Sequence, residues 1–359
     1  MTMPLKEIAR ELQAKAANLA LRLPISWVNL LAGQPVTVDG RTLDTRAQWF
    51  LRLLKQSGQR PMHELGVARA RSEFDGFLPL LGGKPQPVGE ILDRTIPNPA
   101  SGPAGRLRVR LYRPAGNVAR LLPTILYFHG GGFVIGSLEA YDKACRYFCA
   151  RTGCVVVAVD YRLAPEHKFP AAIDDAVAAF RWLTAEAIGL GIDPARIVVA
   201  GDSNGATIAT ALARLVRDGA RQPCLQWLIY PATDMSCDSL SYASCGDGFL
   251  LTRADMEWAR DQYLDGLHQI SDPRASPLLT DDLQGLPPAL VYTAGFDPLR
   301  DEGKAYADKM SAAGGKVIHH EFDSLFHGFV GMRGAIHAAA RAMDDMAAGL
   351  RHELSQLGR

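Results

Sequence analysis

From about residue 90 onward, short apolar runs alternate with segments in which apolar residues recur every three or four positions. The runs include "TILYFHG", "CVVVAVDY", "IVVAGD", "LQWLIYPA" and "ALVYTAG". Nearly continuous apolar strands are typical of parallel sheets that are covered on both faces. The segments between them, such as "AAIDDAVAAFRWLTAEA", have helical period. The pattern predicts an α/β fold with a mostly parallel central sheet flanked by helices, and with ligands at the carboxyl ends of the strands.

The first 85 or so residues have a different pattern. Apolar residues recur at helical spacing over residues 4–23 and 42–56, where Thr42 is a candidate N-cap, and no strand pattern is present. A further helical segment, "FLLTRADMEWARDQYL", interrupts the later alternation and would begin after Thr252. We therefore predict a helical cap over residues 1–85, with an inserted cap segment at about 236–266. Residues 86–359 would form the catalytic domain.

Charge and composition exclude several classes of partner. The 39 basic and 38 acidic residues nearly cancel and form no basic stripe, which argues against nucleic acid or an anionic membrane surface. Charged residues interrupt the N-terminal segment, and no run reaches the roughly 18 apolar residues of a membrane span. The six cysteines lack the Cys-x-x-Cys spacing of zinc sites. We expect a cytoplasmic protein with reduced thiols and no bound metal.

One serine stands where a strand becomes a helix. In "IVVAGDSNGATIATALARL", Ser203 lies between Gly201 and Gly205 and fits the pattern G-x-S-x-G. Such an elbow exposes the serine hydroxyl above the sheet, and the glycines avoid collisions with the neighbouring strand and helix. The helix N-terminus also favours a developing anion. The simpler interpretation is an ordinary strand-to-helix corner capped by the serine.

A serine hydroxyl needs a base, and the base needs an orienting carboxylate. In the chain order of this elbow, the acid and then the histidine follow the serine. Asp297 comes directly after one apolar run, and His327 lies in a loop after the next strand pattern. Position alone also allows Asp301 or Glu302 as the acid. The predicted triad is Ser203, His327 and Asp297.

Three consecutive glycines follow another buried strand in "LYFHGGGFVIGS". A glycine loop can point several backbone N–H groups at one spot, as an oxyanion hole requires. We predict the amides of Gly131, Gly132 and Asn204 as its donors. A merely flexible glycine turn is the alternative.

These motifs together resemble one known family. The glycine loop at 129–132, "DYRLAPEHKFPAAIDDA", the elbow, "DPLRDEG" and "HGF" occur in the order found in the hormone-sensitive lipase group of α/β-hydrolases, also called bacterial family IV esterases. The resemblance covers residues 85–345 clearly. It implies the α/β-hydrolase fold and a carboxylesterase that acts through an acyl-enzyme without a cofactor. It also implies that His129 and Glu166 brace the glycine loop, and it is compatible with a homodimer.

Asn204 departs from the family pattern, which usually has alanine after the nucleophile. The main-chain donor is retained, but the side chain could alter polarity or crowd the acyl site. The cap would select short- to medium-chain acyl or aryl esters. Its apolar candidates for a pocket wall, none of them assigned, are Trp27, Phe50, Phe249, Met256 and Trp258. An amidase or formamidase with the same triad is the alternative function. A non-catalytic receptor is disfavoured because His327 is present.

Overall fold

The computed structural model describes residues 23–102, 104–116 and 121–357. Within them the strands, in chain order, are β1 Thr37–Val38, β2 Arg41–Thr42, β3 Glu90–Pro97, β4 Arg106–Arg113, β5 Leu122–Phe128, β6 Val155–Asp160, β7 Ile192–Asp202, β8 Leu225–Ile229, β9 Ala289–Phe296 and β10 Val317–Phe326. The helices are α1 Ile25–Ala32, α2 Thr45–Gln56, α3 Val67–Leu81, α4 Asp142–Thr152, α5 Ala171–Glu186, α6 Asn204–Leu215, α7 Leu240–Cys245, α8 Arg253–Tyr263, α9 Arg300–Ala312 and α10 His337–Gln356.

Eight of these strands form one sheet in the order β10-β9-β8-β7-β5-β6-β4-β3. The strands from β10 to β6 are parallel, whereas β4 and β3 are added antiparallel at one end. The α/β fold predicted from the apolar runs is therefore confirmed. Because these strands are parallel, the carboxyl ends of β7, β9 and β10 lie at the same edge of the sheet. A predicted site residue follows each of the three strands there.

The two faces of the sheet pack separate apolar cores. Ile125 and Tyr127 of β5 belong to one buried cluster, whereas Leu126 and Phe128 belong to the other. Side chains of successive strand residues point to opposite faces, so a central strand covered by helices on both sides must be apolar throughout. This burial explains why the parallel strands read as unbroken apolar runs in the sequence.

Before β3 the described chain is mostly helical, as predicted, but it also contains a small hairpin. The helix predicted over residues 4–23 lies, up to residue 22, outside the described residues. The strands β1 and β2 pair antiparallel through a turn at Asp39 and Gly40, both with positive φ. The sequence Asp-Gly favours such a turn, and the prediction of no strand in this region was wrong. Thr42 lies in β2 and is not a helix cap; Asp44 caps α2 by accepting from the amides of Arg46 and Ala47 at 2.9 and 3.1 Å.

The inserted segment contains α7 and α8. Thr252 caps α8, as predicted, because its hydroxyl accepts from the amide of Asp255 at 3.1 Å. Residues of α3, such as Phe74, and of α8, such as Met256, line the cavity beside the predicted site residues. We call residues 23–85 and 236–266 the cap region.

Candidate active site

Ser203 sits at the sharp turn between β7 and α6. Its backbone has φ 57° and ψ −126°, a conformation that costs free energy for a residue with a side chain and persists only where the surroundings impose it. A Cβ on Gly201 would lie 2.2 Å from the backbone of Gly205, and a Cβ on Gly205 would lie 2.1 Å from the carbonyl oxygen of Phe128. The two glycines therefore permit the close packing of helix on strand that holds the serine in this turn.

The structure brings the three residues of the predicted triad into contact. His327 Nε2 lies 3.0 Å from Ser203 Oγ, and His327 Nδ1 lies 2.7 Å from Asp297 Oδ2. The three side chains are buried, Asp297 completely. Because a carboxylate only accepts, Nδ1 carries the proton and Nε2 faces the serine hydroxyl as an acceptor.

The neighbouring acids do not contact the histidine. Asp297 Oδ1 accepts from the amide of Leu299 at 2.8 Å, which orients the carboxylate toward His327. Asp301 binds Arg300 on its own helix, and Glu302 accepts from the amides of Thr233 and Asp234. Of the three candidates, Asp297 alone is placed to orient His327.

Asp202 lies beneath the site and was missed by the sequence analysis. Its carboxylate accepts from the amide of Gly130 at 2.8 Å and from the hydroxyls of Tyr127, Tyr141 and Tyr230 at 2.7, 3.0 and 3.3 Å. Burial raises the pKa of Asp202, although the hydrogen bonds from Tyr127, Gly130 and Tyr141 act in the opposite direction. The bond to Gly130 ties the end of β7 to the start of the glycine loop.

The glycine loop passes beside the serine with positive φ at two positions. Gly131 has φ 123°, and a Cβ there would lie 2.2 Å from the carbonyl oxygen of Ile135. Gly132 has φ 63°, and its amide donates to Asn204 Oδ1 at 2.7 Å. Among the described residues, the amides of Gly131 and Asn204 have no hydrogen-bond acceptor. Of the three predicted donors, two are therefore open and one is held by a side chain.

His129 supports this loop from inside the protein. Its Nδ1 contacts the carbonyl oxygen of Gly130 at 2.8 Å, and its ring stacks on Tyr161 at 4.5 Å between centroids. Burial lowers the pKa of His129 to about 4, so the ring is neutral at pH 7. The Tyr161 hydroxyl donates to the carbonyl oxygen of His129 at 2.8 Å.

Arg71 on α3 connects the cap region to the loop. Its Nε donates to the carbonyl oxygen of Val134 at 2.8 Å, and its terminal nitrogens bind the carbonyl oxygen of Ala164 and both carboxylate oxygens of Glu166 at 2.6 to 2.8 Å. Among the described residues, Glu166 is thus connected to the loop through Arg71. The helix α3 also contains Arg69, and nothing in the sequence distinguishes Arg71 from it as a residue that reaches the loop.

A mostly apolar cavity of about 110 Å³ opens onto Ser203 and His327. The cap region contributes Met62, Phe74, Leu78, Leu250, Leu251, Asp255, Met256, Trp258 and Ala259 to its wall. Of the five apolar candidates from the sequence, Met256 and Trp258 line this cavity. Phe50 stacks on Phe326 in the core, Phe249 packs on Phe296, and Trp27 is 58% exposed.

Asp255 is the one acidic side chain that the cap region contributes to this wall. Its Oδ1 accepts from the amide of His63 at 3.1 Å and contacts His63 Nδ1 at 2.8 Å, while Oδ2 accepts from Thr252 Oγ1 at 2.7 Å. These bonds join the two parts of the cap region at Asp255, which lines the cavity.

Known proteins are similar to this chain over most of its length. A family model described as the alpha/beta hydrolase fold matches residues 125–331. A carboxylic ester hydrolase, LipN, from Mycobacterium tuberculosis is 38% identical over 97% of this chain and 94% of its own length. An ethyl acetate hydrolase from Pseudomonas putida is 40% identical over 78% of this chain and 88% of its own.

Solved structures agree with these relatives. The crystal structure of an alpha/beta hydrolase enzyme from the metagenome of Lake Arreo, Spain, has a TM-score of 0.82 and 39% identity, covering 88% of this chain and 99% of that one. None of the helices in the described part of the chain is long and apolar enough to cross a membrane. The chain therefore belongs to the α/β-hydrolase fold family and, within it, to the carboxylesterases of the hormone-sensitive lipase group.

Proposed function

We propose that this carboxylic ester hydrolase acts through Ser203 as nucleophile, His327 as general base and Asp297 as the orienting acid. The observation that carries the proposal is the continuous chain of contacts, 3.0 Å from Ser203 Oγ to His327 Nε2 and 2.7 Å from His327 Nδ1 to Asp297 Oδ2. His327 is 124 positions from Ser203 and 30 positions from Asp297 in the sequence. Their contacts support ester hydrolysis by a serine nucleophile.

In the first half of the reaction, Ser203 Oγ attacks the ester carbonyl carbon and His327 Nε2 takes the hydroxyl proton. The resulting tetrahedral intermediate carries its negative charge on the former carbonyl oxygen. When this intermediate collapses, the bond to the alcohol oxygen breaks and His327 returns the proton to the leaving alcohol. Asp297 stabilises the imidazolium that forms between these two transfers.

In the second half, water replaces the alcohol. His327 takes a proton from water, the hydroxide oxygen bonds to the acyl carbon, and the acid leaves as the proton returns to Ser203 Oγ. The oxyanion of each intermediate would be bound by the amides of Gly131 and Asn204, at the N-terminus of α6, and by that of Gly132 once Asn204 releases it.

The proposed substrates are esters of short- to medium-chain acids or aryl esters. The cavity beside the triad is small compared with the roughly 300–1,000 Å³ of pockets for drug-sized ligands, and its wall is mostly apolar. The ethyl acetate hydrolase among the relatives has a short ester in its name. A long acyl chain would have to leave the cavity and displace the cap region.

The first test is the substitution Ser203→Ala, assayed with p-nitrophenyl butyrate. We expect hydrolysis to be abolished while the thermal unfolding midpoint stays nearly unchanged, because only one buried oxygen is removed. The matched control is Ser57→Ala, at an exposed serine after α2, which should keep full activity. Substantial activity in Ser203→Ala would rule out Ser203 as the nucleophile.

A series of p-nitrophenyl esters from acetate to palmitate then measures the acyl preference. We expect kcat/KM to peak at short or medium chains and to fall toward palmitate. Comparing a matched ester and anilide separates an esterase from an amidase. Inertness of the protein toward every short ester and toward a serine-directed phosphonate would contradict the esterase and favour a non-catalytic receptor.

Two further predictions from the sequence concern the oligomeric state and the cellular location of the enzyme. A homodimer would double the mass measured by sedimentation at micromolar concentration. A cytoplasmic location would be measured by fractionating the cells that produce the protein.

A further inference from the structure

The side chain of Asn204 accepts a hydrogen bond from the Gly132 amide, which is one of the three predicted oxyanion donors. Its Oδ1 accepts from the amide of Gly132 at 2.7 Å, and its Nδ2 donates to the hydroxyl oxygen of Tyr161 at 3.2 Å. The residue is only 2% exposed. The Gly132 amide therefore points at a buried protein oxygen in the absence of substrate.

The orientation of this side-chain amide follows from hydrogen-bond chemistry. A backbone N–H only donates, so the atom that faces Gly132 must be the oxygen. The Tyr161 hydroxyl gives its proton to the carbonyl oxygen of His129 at 2.8 Å, so it accepts from the Asn204 nitrogen. A flipped amide would place two donors against each other at Gly132.

We propose that the Asn204 side chain weakens the oxyanion hole by competing with the substrate for the Gly132 amide. This inference rests on the proposed function. If the bond between Gly132 and Asn204 persists, the oxyanion has two open donors instead of three. If the bond breaks, Oδ1 is left buried without a donor and next to a developing negative charge. Either course raises the free energy of the tetrahedral intermediate relative to the free enzyme.

The opposite interpretation is that Asn204 holds the glycine loop in place. Other residues already make contacts that hold this loop. Asp202 binds the amide of Gly130, Tyr161 binds the carbonyl oxygen of His129, and Arg71 binds the carbonyl oxygen of Val134. These bonds hold the loop on both sides of Gly132. Removing the Asn204 side chain should therefore free the donor without releasing the loop.

The test compares the wild type with Asn204→Ala and Asn204→Leu. Alanine removes the acceptor, and leucine removes it while keeping nearly the same volume. Because one neutral hydrogen bond is at stake, we expect kcat/KM for p-nitrophenyl butyrate to rise roughly two- to tenfold in both variants. Rates are normalised to the concentration of active sites, which is titrated with a p-nitrophenyl phosphonate. Unfolded protein therefore does not contribute to the enzyme concentration.

A second readout isolates the transition state. An alkyl trifluoromethyl ketone forms an adduct with Ser203 Oγ that carries an oxyanion. The matching secondary alcohol has no carbonyl group and only fills the pocket. The inhibition constant of the ketone should fall by the same factor as kcat/KM rises, and that of the alcohol should stay unchanged. A change confined to packing in the cavity would shift both constants.

Unchanged or lower kcat/KM in both variants overturns the inference, and lower values would assign the side chain a bracing role. The Ser203→Ala variant is assayed in parallel to separate this result from the main proposal. A wild type that hydrolyses the ester, an inactive Ser203→Ala and unaltered Asn204 variants would contradict the inference about Asn204 alone. An inactive wild type or an active Ser203→Ala would contradict the proposed function itself.

Discussion

The carboxyl edge of the main sheet and the cap region above it are held by different kinds of contact. At the edge, Ser203, Asp297 and His327 follow three parallel strands, and their positions are imposed by close backbone packing and buried hydrogen bonds. The cap region packs some apolar side chains on the sheet, such as Phe50 on Phe326, but it contacts the glycine loop through the polar side chain of Arg71 on α3. The difference suits an enzyme whose chemistry needs rigid geometry while its substrates must enter and leave.

The largest of these effects is expected from a substitution of Asp297, at the buried carboxyl edge of the sheet. In Asp297→Asn, the amide no longer holds the Nδ1 proton or stabilises the imidazolium, so kcat should fall by about 10⁴-fold, as in other serine triads. The measurement is steady-state hydrolysis of p-nitrophenyl butyrate. Asp301→Asn serves as the control, because Asp301 binds Arg300 and does not contact His327. If Asp301→Asn is the more damaging change, the acid has been assigned wrongly.

The second prediction tests the burial of His129 at this edge through the pH dependence of the free energy of unfolding. His129 has a folded pKa of about 4 and an unfolded pKa near 6.5. Between these values the unfolded chain binds more protons, so the free energy of unfolding should fall as the pH drops from about 6.5 to about 4. The total loss from this one group is about 3 kcal/mol, and its contribution is fully present above pH 6.5.

Urea unfolding of the wild type and of His129→Gln at several pH values measures this contribution. The buried Glu302 has a raised pKa and therefore acts with the opposite sign in both proteins. The difference between the two profiles isolates His129. Parallel profiles between pH 6.5 and 4 would show that the ring is not buried as a neutral group.

The smallest of these effects tests the cap side of the comparison. Arg71→Lys keeps the positive charge but loses the planar fork that binds Val134, Ala164 and Glu166 together. We expect kcat to fall about tenfold, or about 1.4 kcal/mol, because the loop is less accurately placed. KM should change less. Arg69→Lys is the matched control, since Arg69 lies on the same helix, has an exposed side chain and pairs with Glu73. Equal kcat values in both variants would remove Arg71 as a positioning residue.

The main features of the fold could be predicted because they leave local patterns. A strand with both faces buried must be apolar throughout, and a serine in a strained turn needs small neighbours at Gly201 and Gly205. The hairpin at Asp39 was missed because two-residue strands are too short to show alternation. The caps differ in the same way: Thr252 precedes a clear helical pattern, whereas both Thr42 and Asp44 precede α2 within two residues of each other.

The contacts around the site were harder to predict, because their partners are far apart in sequence. Arg71 meets Glu166 across 95 residues, and Gly132 meets Asn204 across 72. Met256 and Trp258 line the cavity while Phe50 and Phe249 pack into the core, although all four are large apolar residues in helical or flanking segments. Hydrophobicity decides that such residues are buried but not what they are buried against.

By itself, the sequence determined the order of strands and helices, the elbow at Ser203 and the glycine loop, since each depends on the backbone conformation of a few adjacent residues. The tertiary structure decided which carboxylate contacts His327, which of the predicted oxyanion N–H groups already has a protein acceptor, and which cap residues form the cavity. These outcomes depend on distances of about 3 Å between side chains from separate elements. Such distances are fixed only when the whole sheet and the cap region have packed together.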